Sequence, residues 1–167
     1  MNDCQQDYRG DLHNSPQAFS RYLQDLAARH KSLNHTKHEP HFFRGELEEF
    51  YMDLRNRVKF PAVIAESWEI TFQQGSKERE TSFIIAAAYK ESKNWQNIYA
   101  ALDLCERIGD EFLRRILTDT DDGGLCADVE LMSAIPMVDE QHLYAGVRYT
   151  IRMSCPFNPD PDEEEWQ

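Results

Sequence analysis

The chain has 167 residues, 41% of them hydrophobic, and a formal net charge of −12 from 18 lysines and arginines against 30 aspartates and glutamates. That length suits one domain with its own core, and that charge excludes free binding to a nucleic-acid backbone of the same sign. No apolar run approaches the ~20 residues of a membrane-spanning helix, so no membrane partner is expected.

Residues 1–14 are polar and are expected to be flexible, and they hold no apolar stretch of the kind a secretory signal needs. Ser15-Pro16 then opens a helix, with Ser15 as cap and Pro16 in the first turn. Phe19, Tyr22, Leu23 and Leu26 follow at helical spacing and predict a helix over about 16–30. Residues 31–41 are basic, histidine-rich and aperiodic, and read as a polar loop. A second helical stripe runs through Leu47, Phe50, Tyr51, Leu54 and Val58. It stops before Phe60-Pro61, because a residue preceding proline disfavours helix.

Two strands come next. In Ala62 to Phe72, Val63, Ala65, Ser67, Glu69 and Thr71 share one face, and Ile64, Trp68, Ile70 and Phe72 the other, with Glu66 as the exception. Gln73 to Lys77 is a turn-like break. Thr81 to Lys90 is nearly all apolar, which suits a central strand covered on both faces. The short link favours a hairpin. A long helix over Asn94 to Thr118 carries one apolar stripe, Ile98, Leu102, Cys105, Gly109, Phe112 and Ile116. It must bury that stripe on the sheet. Two further strands, Ala127 to Ile135 and Leu143 to Cys155, are joined by Pro136 to Gln141. The expected fold is α+β: a mixed or antiparallel sheet of about four strands packed by one long helix, with one or two N-terminal helices. A single domain is expected over 1–157. The segment 158–167 carries five acids, two prolines and no base, and is expected to be a disordered acidic tail, with Trp166 as its possible anchor on a partner.

Candidate chemistry is sparse. Asp119 and Asp121 stand at positions one and three of a calcium-type loop, with Gly124 at six and Glu130 at twelve, but Gly123 occupies position five and a strand follows where an exit helix belongs. A glycine-rich helix stop with solvated acids is the plainer reading. His35, His38 and His41 lie three apart and have the residue type for zinc, yet Pro40, Lys31 and Lys37 suit an ordinary polar loop as well. No nucleophile elbow, phosphate loop or dinucleotide fingerprint is present. Glu48 and Glu49 read as solubilising charges. Cys4, Cys105, Cys126 and Cys155 are scattered without a C-x-x-C and read as reduced thiols, Cys105 as a small core residue. The basic stretch Arg29, His30, Lys31, His35, Lys37, His38 and Arg44 reads first as a solvated loop and second as a patch for the acidic surface of an identical copy. No catalytic residue, cofactor or metal site is expected, and the chain is read as not an enzyme.

Four segments in order carry a resemblance: Phe60-Pro61-Ala62-Val63 leading a strand; Phe83 to Tyr89 entering the long helix near Trp95; Leu131-Met132-Ser133-Ala134-Ile135-Pro136 after that helix; and an acidic turn before Tyr144 to Met153 with Gly146-Val147. In this order they resemble the tail-terminator proteins of long-tailed bacteriophages and related contractile particles, over about the last three-fifths of the chain. The resemblance implies a subunit that closes into a ring, a hexamer, which caps the tail tube and faces the head-side connector. It implies host cytoplasm during assembly and then the virion or tail-like particle. Strand edges and strand-end loops are the usual contact surfaces of such subunits. Here that points to Gln73, Gln74, Ser76, Lys77, Arg79 and Glu80, and to Met137, Asp139, Glu140 and His142. The alternatives are a small metal-dependent enzyme using the histidines or the Asp119 loop, and an adaptor or inhibitor whose acidic tail mimics nucleic acid.

Overall fold

The computed structural model describes residues 16–45, 57–73, 75–121 and 128–156, without the side chains of Pro16, Ser67 and Asp121. The stripe from Leu47 to Leu54, Cys4, Cys126, Gln74, Gly123, Gly124 and the segments 1–14 and 158–167 lie outside the described residues.

In chain order the elements are α1 (Pro16–Arg29), β1 (Phe42–Arg44), β2 (Ala62–Gln73), β3 (Ser76–Ala88), α2 (Trp95–Asp121), β4 (Asp128–Asp139) and β5 (Tyr144–Pro156). The five described strands form one sheet in the order β1-β2-β3-β5-β4. β1 runs parallel to β2, and the other pairs are antiparallel. The fold is therefore α+β with a mixed sheet, and it has one strand more than the sequence reading expects. The extra strand is β1, whose three residues are too few to show an alternating pattern.

α2 lies on β3 and β5, and α1 lies beside it on β2. α1 buries Phe19, Tyr22, Leu23 and Leu26, and α2 buries Ile98, Cys105, Ile108, Phe112 and Ile116. They meet Val63, Ala65, Phe83, Ile85, Val147, Tyr149, Ile151 and Met153 of the sheet. Each large apolar side chain so covered contributes about 1.5–3 kcal/mol. Gly109 is the closest approach: a Cβ there would stand 2.1 Å from the Tyr149 ring. That ring is held by stacking on Phe83 at 5.2 Å and by a hydrogen bond from its hydroxyl to the Glu106 carbonyl at 3.1 Å. Asn94 caps α2, its side-chain oxygen accepting the Asn97 amide at 3.3 Å.

The opposite face of the sheet is apolar only at one end, where Ala62, Ile64, Ile84, Ala86 and Tyr144 are covered with Phe43, Val58 and Phe60. Farther along it turns polar. Arg148 donates two hydrogen bonds to Glu66, at 2.9 and 2.8 Å, and Ser82 bonds Thr150 at 2.9 Å.

Four boundaries differ from the expected ones, each for a physical reason. β2 does not alternate evenly: its pairing slips between Ala65 and Trp68. Ala65 faces Phe83 and Trp68 faces Thr81, so one extra residue sits in β2, and Trp68 joins the face of Val63 and Ala65. β3 starts at Ser76 and not at Thr81, because the charged run Ser76 to Glu80 is paired on both sides, by β2 and β5. Within the expected break at Gln73 to Lys77, Gln73 already pairs with Ser76, and Gly75 stands at φ 79°, in the left-handed region that such hairpins require. β4 runs through Pro136 to Asp139, since an edge strand tolerates a missing amide donor.

Candidate interaction surface

β4 closes one side of the described sheet, hydrogen-bonded to β5 alone. Val129 and Met137 are half-buried, but Leu131, Met132, Ile135 and Val138 are exposed, Ile135 at 54%. The alternation of the strand explains this. Leu131 and Val138 stand opposite Ile151 and Ala145 on the helix-bearing face, and Ile135 stands opposite Arg148 on the other. α2 packs chiefly over β3 and β5 and to a lesser extent on β4. A register slip between Leu131 and Ser133 turns Met132 out as well. A long apolar edge offers unpaired backbone groups together with side chains on both faces, which is what strand addition from another chain uses. Pro136 removes one donor from that edge.

The β2–β3 hairpin makes the second surface. Ile70 and Phe72 are exposed there, Phe72 at 59%, and the Lys77 ammonium lies 5.8 Å from the Phe72 ring centre. Gln73 pairs with Ser76 and donates to Glu78 at 3.3 Å. Glu80 is exposed opposite Glu69. Arg79 is a correction to the candidate contact set. It points to the helix-bearing side, is 3% exposed, and its guanidinium sits 4.7 Å from the Trp68 ring centre, so it belongs to the interior. Gln73 and Ser76 to Glu80 are strand and not loop.

The other candidate segment straddles the end of β4. Met137 packs half-buried against the smaller apolar cluster that includes Tyr144, and Glu140 is exposed in the turn over residues 140–143. Asp139 organises that turn. Its carboxylate accepts the amides of Gln141 at 2.9 Å and His142 at 2.8 Å, and meets the His142 ring at 3.0 Å. Burial works against its charge, but the His142 ring and the two amides outweigh burial, and its carboxyl is held below the usual carboxylate range.

The two segments are not brought together. Ser76 pairs with Pro156 at one end of β3, and Ala88 pairs with Tyr144 at the other. β3 has 13 residues between them, a span of about 40 Å along the strand.

Several of the other chemical candidates make structural contacts. The His35 ring accepts the His41 amide at Nδ1, 3.0 Å. The His41 Nδ1–H donates to the Pro61 carbonyl at 2.7 Å. His38 is exposed. Among the described residues no group of three His, Cys, Asp or Glu side chains is placed to hold a metal ion. Asp119 lies inside α2, 5% exposed, accepting from Tyr22 at 2.8 Å and pairing with Arg115 at 2.8 Å. Glu130 sits on β4, 3.9 Å from Arg152. Cys105 is buried, and burial pushes its thiol up to about 12, away from the thiolate a nucleophile needs.

Sequence reasoning did not find Leu131, Ile135 and Val138 as surface residues, because an apolar residue in a strand reads as core. The signal that identifies the edge is Pro136 within the same run. No helix among the described residues is long and apolar enough to cross a membrane. In comparisons with known proteins, no family model matches the chain and no curated protein matches it.

Proposed function

We propose that the protein is a structural subunit of a phage tail or tail-like particle: a tail-terminator component that assembles into a ring, caps the tail tube and joins it to the head-side connector. The observation that carries this reading is the open β4 edge with Leu131, Ile135 and Val138 exposed along it. A sheet margin of this kind is stable in water when another chain covers it. The opposite margin, β2 beyond the three residues paired with β1, is available to receive it among the described residues. Joining one margin to the other margin of an identical copy is a heterologous contact, and such contacts generate a ring when the rotation closes. Six copies is the order the sequence resemblance implies. The two turn-bearing ends, about 40 Å apart along β3, supply separate surfaces for a tube on one side and a connector on the other. The work is done by interface geometry, without turnover, in the host cytoplasm during assembly and then in the particle.

Multi-angle light scattering on the purified protein, with and without the tube protein, tests this. The expected result is a discrete species near six times the 19.6 kDa protomer mass, formed alone or at the tube end. A chain that stays monomeric and never binds the tube end overturns it.

A further inference from the structure

On the solvent side of the helices, two contiguous grooves run between the end of α1 and the middle of α2. One, of about 230 Å³, is lined by Leu26, Arg29, His30, Glu111, Phe112 and Arg115. The next, of about 370 Å³, adds Lys31, Arg107 and Ile108. The charged lining is Arg29, Lys31, Arg107 and Arg115 against the single carboxylate of Glu111. That balance is opposite to the rest of a chain of net charge −12. Glu111 is already paired with Arg114 at 3.1 Å, Arg29 with Asp25 at 2.8 Å, and Arg115 with Asp119 at 2.8 Å. Lys31 and Arg107 are exposed and form no ion pair among the described residues. The floor is apolar, with Leu26, Ile108 and Phe112 buried and the His30 ring 5.7 Å from that of Phe112.

A groove with unpaired cations at the rim and an aromatic floor fits an acidic peptide that carries a large aromatic residue. We propose that its occupant is the chain's own segment 158–167, Asn-Pro-Asp-Pro-Asp-Glu-Glu-Glu-Trp-Gln, with the acids along Lys31 and Arg107 and Trp166 on the floor. Charge complementarity is the first argument: the segment has five carboxylates and no cation. Reach is the second. β5 ends at Pro156, and Tyr149, whose hydroxyl bonds Glu106 of α2, lies seven residues earlier. That stretch of strand covers about 23 Å. The ten residues from Pro156 to Trp166 span up to about 33 Å when extended. Pro159 and Pro161 favour the extended form and lower the entropy lost on docking. Attachment to the same chain raises the effective concentration of the segment well above that of a free peptide.

The test is NMR of the tryptophan indole groups in the full chain, with Trp166→Phe assigning its signal and the free decapeptide as reference. In the native chain at low salt the Trp166 indole signal is expected away from that of the free peptide. The Lys31→Glu/Arg107→Glu pair is expected to move it at least halfway to the free position, as is raising the salt to about 300 mM, where the Debye length falls to about 6 Å. Unmoved Trp68 and Trp95 signals show that the fold persists, and Lys31→Gln/Arg107→Gln is the gentler second pair. A native Trp166 signal that coincides with the free peptide, or one that neither pair moves, overturns the proposal. A signal that shifts on dilution puts the segment on a second copy and overturns the assignment to the same chain.

Discussion

The Tyr22 phenol donates a 2.8 Å hydrogen bond to the Asp119 carboxylate, 97 residues away in the chain. This contact ties α1 to the last turns of α2, and both partners are buried. Tyr22→Phe keeps the ring and removes the donor, leaving a buried carboxylate that still pairs with Arg115. The expected cost is about 1–3 kcal/mol. It is read as a lower urea midpoint at unchanged slope. Burial first, and the Asp119 carboxylate second, raise the Tyr22 phenol above its ordinary value of 10.0. The neutral phenol is therefore favoured in the folded state. Its contribution is full below pH 10 and is lost as pH climbs beyond it, a slope that Tyr22→Phe should reduce.

Gly109→Ala is expected to lose at least about 1–3 kcal/mol. The new methyl would meet the Tyr149 ring at 2.1 to 2.3 Å. The ring cannot swing aside without leaving Phe83 and the Glu106 carbonyl. Thermal and urea unfolding read this directly, and a variant as stable as the native chain would show that the ring yields.

Acid should weaken the fold below the ordinary histidine value of 6.5. Burial holds both His30 and His35 below that value. Each ring also accepts a backbone amide at Nδ1, from Ser32 at 3.2 Å and from His41 at 3.0 Å, which a proton there would abolish. The unfolded chain binds these protons more readily, so stability falls as pH drops through 6.5 toward the depressed folded values. Melting temperatures at about pH 7.5 and about pH 5.5 measure it, and His30→Gln/His35→Gln should flatten the difference.

Ile135→Lys on the β4 edge should abolish assembly and leave the protomer intact. The side chain is already in water, so unfolding stability should change by no more than about 0.5 kcal/mol. A lysine on an edge strand opposes strand addition. Light scattering and a melting curve on the same sample separate the two effects. Assembly that survives the lysine would move the interface away from β4.

The helices were legible because their apolar spacing is sustained. Phe19 to Leu26 and Ile98 to Ile116 repeat at the helical period long enough to exclude other readings. Where pattern failed, a tertiary partner had taken over. Ser76 to Glu80 has poor strand propensity, yet two flanking strands supply its hydrogen bonds. The slip at Glu66 and Ser67 is invisible locally, because only the partner residue Ser82 shows that two positions oppose one. Glu66 looked like a misplaced charge until Arg148, 82 residues later, supplied its partner. Of the two segments singled out at the strand ends, turn composition marks Gly75 and the turn over residues 140–143, while Ser76 to Glu80 lies in a strand. The apolar margin between them was not legible, since exposure depends on where α2 stops covering the sheet.

The separation of the two ends of the sheet has a consequence for how such a protein can change over time. The Gly75 and Glu140 ends lie about 40 Å apart along β3, and substitutions that far apart usually act additively. Either end can therefore take substitutions while the other is left as it was. One scaffold can in this way acquire a new surface at one end without disturbing the other.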